Sequence, residues 1–203
     1  MQCFVYVLRI YVCRRHKNME EIEIHIIEGL RQRSPKVQQQ ALELYGNFVW
    51  TQVVRLVSRI EDAEEVYQDV FIKAFNNIDR YDAEKASLKT WISRIAYNES
   101  ISFLRRKPHP MIFFEDNERR AEALSEAEVE ETLGHPDEET VQLIQTAIQH
   151  LPPEEQALIT MFYYEEMSLK EIAFVTESIP TTIASKLSRT RKKLCKLIKE
   201  LQS

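Results

Sequence analysis

The stretch Asp62–Phe75, DAEEVYQDVFIKAF, decides the fold of the first half of the chain. Its apolar side chains recur at helical spacing, at Ala63, Val66, Tyr67, Val70, Phe71 and Ala74. This spacing places them along one face of an α-helix. The opposite face carries Glu64, Glu65, Gln68 and Asp69, with Ile72 beside them. The stretch therefore predicts an amphipathic helix whose acidic face is either simply solvated or a docking surface for a basic partner.

Helices are also predicted on both sides of this stretch. A short amphipathic helix is expected at Met19–Arg33, and Ser34 and Pro35 are a suitable N-cap and first-turn residue for the next helix. That helix, Val37–Ile60, has apolar side chains at helical spacing, at Ala41, Leu44, Tyr45, Phe48, Val49, Val53, Leu56 and Val57.

A fourth helix is predicted after the polar, loop-like residues 76–86. Ser87 is expected to cap it, and it runs to about residue 107. Its inward side chains are Leu88, Trp91, Ile92, Ile95 and Leu104. Four such helices predict a compact helical bundle for the first domain.

The fourth helix combines an aromatic side chain with polar and basic ones, at Lys89, Trp91, Arg94, Asn98, Arg105 and Arg106. The loop before it carries Asn76, Asn77 and Tyr81. Aromatic rings beside positive charge suit unstacked single-stranded bases, because every base can stack and the phosphates attract cations. The alternative is that Trp91 belongs to the core and the charges are solvated.

An acidic linker is predicted after this domain, because Pro108 and Pro110 cannot continue a helix. Residues 115–139 hold eleven acidic side chains against two basic ones. We expect this segment to be a linker that includes some helix. The acidic segment also accounts for the formal net charge of −5, which would otherwise argue against nucleic-acid binding.

The last part of the chain has the pattern of a helix-turn-helix. Helices are predicted at Glu139–Gln149, Pro153–Glu165, Ser168–Val175 and Thr181–Leu201. Ser168 followed by Glu171 forms a capping-box pattern, and the short turn ESIP separates the last two helices. A short helix, a tight turn and a longer basic helix are typical of this DNA-binding motif.

The final helix is basic on one face. Residues 181–199 hold seven Lys or Arg residues and no acidic one. The polar and cationic face consists of Thr182, Ser185, Lys186, Arg189 and Lys193, whereas Leu187, Leu194 and Ile198 lie on another face. Long cations can reach guanine acceptors in the major groove, and hydroxyls can bind phosphates. The alternative, a basic helix that binds an acidic protein surface, is less favoured because a helix-turn-helix precedes it.

The sequence offers little for catalysis, a metal or a cofactor. There are three glycines and no phosphate-binding glycine motif. Cys3, Cys13 and Cys195 are widely spaced, form no CxxC and indicate a reducing cytoplasm. No HExxH and no nucleophile elbow occurs. We therefore expect no enzyme activity, no cofactor and no bound metal.

The first residues are apolar but broken by Arg9, in a run of about a dozen residues that is too short to span a bilayer. They also lack the features of a signal peptide. We favour Met19 as the true initiator, which would make residues 1–18 an over-extended gene start. No direct membrane insertion is expected.

Four stretches together resemble the extracytoplasmic-function (ECF) group of the sigma-70 family of RNA polymerase sigma factors. They are DAEEVYQDVF (62–71), SLKTWISRIAYN (87–98) with LRR (104–106), AIQHLPPEEQALITMFYYEEMSLKEIA (147–173) and IASKLSRTRKKL (183–194). Each is a weak match alone, but their order and the acidic linker between them make the set specific. The resemblance covers most of Val37–Leu201.

The resemblance implies an all-α fold with two small helical domains and a defined division of the chain. Residues 1–33 would be an N-terminal extension with a short helix, and residues 34–107 the region 2 bundle. Residues 108–136 would be the acidic linker, near the active-site cleft and the RNA exit path. Residues 137–203 would be the region 4 helix-turn-helix domain.

The resemblance also implies partners. These are core RNA polymerase, through the clamp helices of its largest subunit and the flap of its second largest, and promoter DNA. Many relatives are held inactive by a membrane-bound anti-sigma factor, which is a plausible further partner. The expected location is the cytoplasm, at the nucleoid, or at the membrane when such a factor holds the chain there.

Individual residues inherit roles from the resemblance. Core polymerase would be met by Asp62, Glu65, Gln68 and Asp69. The opened −10 element would be met by Asn76, Asn77, Tyr81, Trp91, Arg94 and Asn98. The −35 element would be met by Thr182, Ser185, Lys186, Arg189 and Arg191. Two positions depart from the family pattern: the turn reads Ser178-Ile179-Pro180-Thr181 where a glycine is common, and Ala184 stands where a basic residue is common.

Two alternatives remain at this stage. One is a stand-alone helix-turn-helix regulator, which would leave DAEEVYQDVF and TWISRIAYN without a role. The other is a sigma-like protein that sequesters a partner, against which the basic face of the last helix argues. A stand-alone regulator would shift duplex DNA without polymerase.

Overall fold

The fold is described from a computed structural model in residues 21–106, 125–133 and 138–201. The question of the initiator at Met19 lies outside the described residues. In the first part of the chain the helices are α1 (21–31), α2 (Pro35–Leu56), α3 (Ile60–Asn76) and α4 (Leu88–Arg106). In the last part they are α5 (Glu126–Leu133), α6 (Glu138–Gln149), α7 (Pro153–Ile159), α8 (Leu169–Val175) and α9 (Pro180–Leu201). No strand occurs in these ranges, so the all-α prediction is confirmed.

The first domain is a bundle in which α2, α3 and α4 pack on one another. The stripe that the sequence predicts on α3 is buried, at Ala63, Val66, Val70, Phe71 and Ala74. Gly46 permits the close crossing of α2 and α3, because a Cβ there would lie 2.7 Å from the Tyr67 hydroxyl. The carboxylate of Glu23 on α1 accepts the Leu88 N–H at 2.5 Å. Helix α1 therefore helps to fix the start of α4.

One side chain of the apolar pattern on α2 is exposed. Leu44 on α2 is 42% exposed and lines a shallow surface groove with Ile22 and Ile26 of α1. Its neighbours in the pattern, Ala41 and Tyr45, are buried. Fewer side chains of α2 are buried than its apolar pattern contains, because α1 covers only part of the outer surface of α2.

The second domain is built around α9, whose buried side chains include Ile183, Leu187, Leu194 and Ile198. Helix α7 continues into a π-helical turn at Thr160–Tyr164, so the predicted helix Pro153–Glu165 is not α-helical throughout. The capping box of α8 is present as predicted: the Ser168 side chain accepts from the Glu171 N–H, and the Glu171 side chain accepts from the Ser168 backbone N–H.

The turn between α8 and α9 contains no glycine, yet it uses the left-handed conformation. Glu177 has φ 52°, and the Ser178 N–H donates to the Ala173 carbonyl at 2.9 Å. This is the six-to-one hydrogen bond of a Schellman motif, in which glycine usually occupies the left-handed position. The turn is thus a regular helix end in which a glutamate takes the glycine position.

Helix α5 lies within the acidic segment that the sequence assigns to the linker. It packs on α9, and Val129 is fully buried there. The Cys195 thiol of α9 donates to the Glu128 carbonyl at 3.9 Å. The end of the acidic segment is therefore attached to the second domain.

The two domains also pack on each other. Helix α4 contacts α7 and α8, and α2 contacts α7 and the π-helical turn. One cluster of buried apolar side chains runs through both domains, from Ile26 on α1 to Ile198 on α9. Within the described residues, no helix combines the length and apolarity needed to cross a membrane.

Candidate protein and nucleic-acid interfaces

The outer face of α3 is an open acidic surface. Glu64, Glu65 and Gln68 are exposed, and Asp69 is half-buried. Ile72 is 56% exposed beside them. Asp62 differs from the others, because its side chain is only 13% exposed and lies 3.9 Å from the Arg59 guanidinium. An open row of carboxylates is complementary in charge to a basic partner surface.

The loop between α3 and α4 is held by hydrogen bonds. The Asn77 side-chain amide donates to the Lys73 carbonyl at 2.8 Å, and the Tyr81 hydroxyl donates to the Ala86 carbonyl at 3.0 Å. The Tyr81 ring is buried and meets the Trp91 ring edge-on, with centroids 5.6 Å apart. Burial raises the pKa of the Tyr81 phenol to about 12. Tyr81 therefore positions Trp91 rather than presenting its own ring.

Along α4 the predicted residues are in different environments. Asn98 is exposed, as is Asn76 at the end of α3, and Trp91 is half-buried. Ser87 caps the helix as predicted, since its hydroxyl accepts the Thr90 N–H at 3.2 Å. Arg94 is half-buried, and its guanidinium pairs with the Glu177 carboxylate of the second domain.

On α9 the predicted side chains form an exposed cationic face. Ser185, Lys186 and Arg189 are exposed, and Thr182 and Arg191 are half-buried. The Ser185 hydroxyl donates to the Thr181 carbonyl at 3.0 Å, and the Arg189 Nε–H donates to the Ser185 carbonyl at 3.3 Å. These bonds leave the terminal nitrogens of Arg189 available to a ligand. The arrangement can present a cationic helix face to a phosphate backbone and to base edges.

A cavity of about 380 Å³ lies beside this basic helix, and most of its lining belongs to the second domain. Lys186 and Arg189 line it from α9, and Tyr97 lines it from α4. Glu154, also in the lining, pairs with Arg105 of α4 at 3.4 Å. The first domain therefore contributes to the lining of a cavity beside the cationic face of α9.

The structure also brings together residues that sequence reasoning did not single out. Thr90 of α4 donates to the Glu171 carboxylate at 3.1 Å. The Ser93 hydroxyl donates to the Gln52 side chain of α2 at 3.1 Å and lies 3.8 Å from the Met167 sulfur. Arg55 of α2 stacks on the Tyr164 ring at 3.6 Å. The contacts to Glu171, Met167 and Tyr164 join the two domains. Thr90 and Ser93 lie inside the quoted motif, but a short polar side chain on a helix does not indicate its partner.

Two carboxylates at this junction have shifted pKa values. Burial raises the pKa of Glu165 above its usual value, against the opposing charges of Lys89 and Arg55. Burial also acts to raise the pKa of Glu171, but hydrogen bonds from Ser168 and Thr90 outweigh it and hold that pKa below 4.5. No cluster of three or more His, Cys, Asp or Glu side chains suited to a metal occurs in the described ranges.

Two helical domains, one with a helix-turn-helix whose second helix is basic and exposed, define a DNA-binding transcription protein. Comparison with known proteins identifies the family within this class of protein. The model for Sigma-70 region 2 matches residues 41–108, and the model for Sigma-70, region 4 matches residues 141–194. The first match covers α4, and the second covers α8 and most of α9.

Curated relatives match over most of their length. The chain is 30% identical to the ECF RNA polymerase sigma-E factor of Escherichia coli K12, over 80% of this chain and 88% of that one. It is 28% identical to the ECF RNA polymerase sigma factor SigW of Bacillus subtilis, over 79% and 88% respectively. The chain therefore belongs to the ECF group of the sigma-70 family and is an RNA polymerase sigma factor.

Solved structures share the fold. The structure of CnrH in complex with the cytosolic domain of CnrY matches with a TM-score of 0.61 at 18% identity, over 88% of this chain and 98% of that one. The sigma factor RpoE of Bartonella quintana, in complex with the anti-sigma factor NepR, matches with a TM-score of 0.56 at 23% identity, over 79% and 96%. At these identities the likeness establishes the fold.

Proposed function

We propose that this sigma factor binds three different partners through three separate helix faces. The acidic face of α3, with Asp62, Glu65, Gln68 and Asp69, binds the clamp helices of the largest polymerase subunit. The loop after α3 and the outer face of α4 capture the opened −10 strand. The exposed face of α9 reads the −35 element. The observation that carries this division is the separation of charge: one exposed face is acidic and another is cationic, on different domains of one chain.

The −10 surface combines cations, amides and one ring. Asn76 and Asn98 are exposed, Asn77 is half-buried, and Trp91 is half-buried against Tyr81. Arg94 supplies positive charge on the same helix. A base that leaves the duplex stack gains a ring to stack on and a cation for its phosphate, which compensates for the lost stacking. Promoter opening by this surface requires no catalytic group, and we assign none.

The −35 surface lies on the first half of α9. Ser185, Lys186 and Arg189 are exposed and would face the major groove, with Thr182 and Arg191 near phosphates. Neither domain needs to bind DNA tightly alone. Attachment of both to one polymerase supplies a high effective concentration, which raises the overall affinity.

The division into domains and the remaining partners are part of the proposal. Residues 34–107 act as region 2, and residues 137–203 act as region 4 on the flap of the second largest subunit. Residues 108–136 are the linker near the active-site cleft and the RNA exit path, and α5 at its end packs on α9. An anti-sigma factor is a further partner, because a solved structure of similar fold is a complex with one. The protein then works at the nucleoid, or is held near the membrane by that factor.

The test is transcription in vitro with purified core polymerase and fragmented host genomic DNA, with and without the chain, followed by mapping of RNA 5′ ends. We expect new starts that depend on the chain and share paired upstream elements. A duplex-binding assay without polymerase is run beside it. Tight duplex binding by the chain alone, with no new starts, would support a stand-alone regulator instead.

A further inference from the structure

The acidic segment between the two domains ends in a helix with its own start signal. Helix α5 (Glu126–Leu133) begins with a capping box. The Ser125 hydroxyl accepts the Glu128 N–H at 3.2 Å, and the Glu128 carboxylate accepts the Ser125 N–H at 2.8 Å. Hydrogen bonds from the Ser125 backbone and hydroxyl hold the pKa of Glu128 below 4.5. The start of α5 is therefore defined within the segment itself.

One face of α5 is buried against the second domain. Val129 is fully buried, and Leu133, one turn later on the same face, is half-buried against the apolar core. The Cys195 thiol of α9 is fully buried at this contact and donates to the Glu128 carbonyl at 3.9 Å. Ala127 and Glu128 are exposed on the other side. An apolar face against α9 and a polar face toward solvent make α5 a packed part of the second domain.

The attachment of α5 shortens the segment that joins the two domains. Residues 107–124, eighteen residues, lie between the end of α4 and the cap of α5. A fully extended segment of this length spans at most about 60–65 Å. If α5 were not attached, the joining segment would be residues 107–137, thirty-one residues, with a span of up to about 100–110 Å. The contact of α5 with α9 therefore removes almost half of the reach.

We propose that α5 sets the promoter spacing that this sigma factor accepts: by packing on α9 through Val129 and Leu133, it limits the separation between the −10-binding and −35-binding domains. The inference rests on the proposed function of these two domains.

The geometry of the duplex gives the physical reason. One added base pair moves the −35 element by about 3.4 Å along the DNA axis and rotates it by about 35°. The second domain has to follow this displacement while the first domain holds the −10 element. A short joining segment restricts that movement more than a long one, because effective concentration depends on the length of the tether and on the span it must cover. The range of accepted spacings should therefore widen when the segment is lengthened.

Three full-length variants test the inference. Val129→Asp should detach α5, because burial of a carboxylate without a partner is unfavourable. Ala127→Asp introduces the same charge on the exposed side of α5 and is the matched control. The third variant inserts thirteen Gly and Ser residues between residues 107 and 124, as many as the detachment of α5 would release. This insertion lengthens the joining segment without changing α5, so it decides the question even if Val129→Asp destabilises the second domain.

The first measurement reports whether α5 covers α9. The rate of alkylation of Cys195 by iodoacetamide is followed by mass spectrometry of tryptic peptides, which separates Cys195 from Cys3 and Cys13. Val129→Asp should react at least about tenfold faster than Ala127→Asp, because detachment of α5 exposes the buried thiol. The insertion variant should react at the wild-type rate. Equal rates in Val129→Asp and Ala127→Asp would overturn the inference, because Val129 would then not hold α5 on α9.

The second measurement is transcription in vitro with core polymerase from a promoter series. The series takes one promoter found by the genomic mapping and changes its spacer by one and two base pairs in each direction. Transcription from the changed spacers, relative to the best spacer, should rise at least about twofold in Val129→Asp and in the insertion variant. Ala127→Asp should keep the wild-type profile.

The outcomes separate the inference from the function on which it rests. If wild type transcribes from the series and the insertion variant has the same spacer profile, the joining segment does not limit spacing. The inference is then overturned, while the proposed function stands. If wild type produces no starts that depend on the chain, the proposed function fails, and the inference fails with it.

Discussion

Helices α3 and α4 are neighbours in the first domain, yet their outer faces differ in what lies against them. The acidic side chains of α3 are mostly exposed, and Ile72 beside them has no cover. On α4, Thr90 and Ser93 are buried and Arg94 is paired with the second domain. The face proposed for polymerase is therefore accessible, whereas part of the face proposed for DNA lies against the second domain. The difference shows that two neighbouring helices of one bundle can have outer faces with different partners within the same chain.

The largest expected effect is on stability and comes from the inner face of α4, which holds that helix in the bundle. Ile92 is 1% exposed, and Ile92→Ala should lower the free energy of unfolding by about 2–5 kcal/mol through lost burial and a residual cavity. Urea unfolding measures it. Asn98→Ala, on the exposed side of the same helix, should change stability by no more than about 0.5 kcal/mol. Equal losses in the two variants would mean that α4 has no distinct inner and outer faces.

The second effect concerns the open face of α3. Asp69→Lys should weaken binding to core polymerase at least about tenfold, because a reversed charge at a complementary interface is repelled. Titration of labelled chain with core enzyme measures it, and circular dichroism checks that the variant folds. Glu43→Lys, which reverses the charge of an exposed site on α2, is the control. If both variants bind alike, the acidic face of α3 is a solvated surface.

The third effect tests the proposed −35 face of α9, which is exposed, as the acidic face of α3 is. Arg189→Ala should weaken −35 recognition by roughly 1–3 kcal/mol and leave core binding unchanged. Binding of the assembled polymerase to promoter duplexes with intact and scrambled −35 elements measures it. Lys199→Ala, near the far end of the same helix, is the matched control. A loss of core binding in the Arg189 variant would contradict the assignment.

The smallest effect is a pH dependence at Glu171 of α8, whose carboxylate accepts from Thr90 of α4 at 3.1 Å. The folded-state pKa of Glu171 is held below 4.5, so its ionised form stabilises the fold above the unfolded-state pKa. This contribution, at most about 1 kcal/mol, is lost as the pH falls through the lowered value. Urea unfolding of wild type and Glu171→Gln should therefore differ at pH 7 and converge below pH 4.5. A difference that stays constant across this range would rule out the carboxylate as its cause.

The sequence predicted the helices well, because an apolar stripe at helical spacing reports which face is buried. The capping box at Ser168 and Glu171 marked the start of α8 correctly for a similar reason, since both residues act within one turn. Leu44 shows the limit of the method. Its spacing matches the buried stripe, but its burial depends on how much of α2 its neighbours cover.

The left-handed turn and the domain contact could not be predicted from the pattern. The missing glycine raised a question about the turn, but nothing local identifies Glu177 as the residue with positive φ. The pairing of Arg94 with Glu177 joins two charged residues far apart in the sequence. The spacing of apolar residues does not indicate which distant charged residues form a pair. The residues predicted for polymerase, −10 and −35 contacts remain predictions of role, while the structure fixes their exposure and neighbours.

The cluster of buried side chains that passes through both domains has a consequence for cooperativity. Elements that share one core lose it together, so the chain should unfold in a single calorimetric transition with matching van't Hoff and calorimetric enthalpies. A ligand that separated the two domains would leave each with only its own part of that core. Local openings of the smaller, second domain then become independent of the first, and amide hydrogen exchange in α8 should accelerate before that in α3.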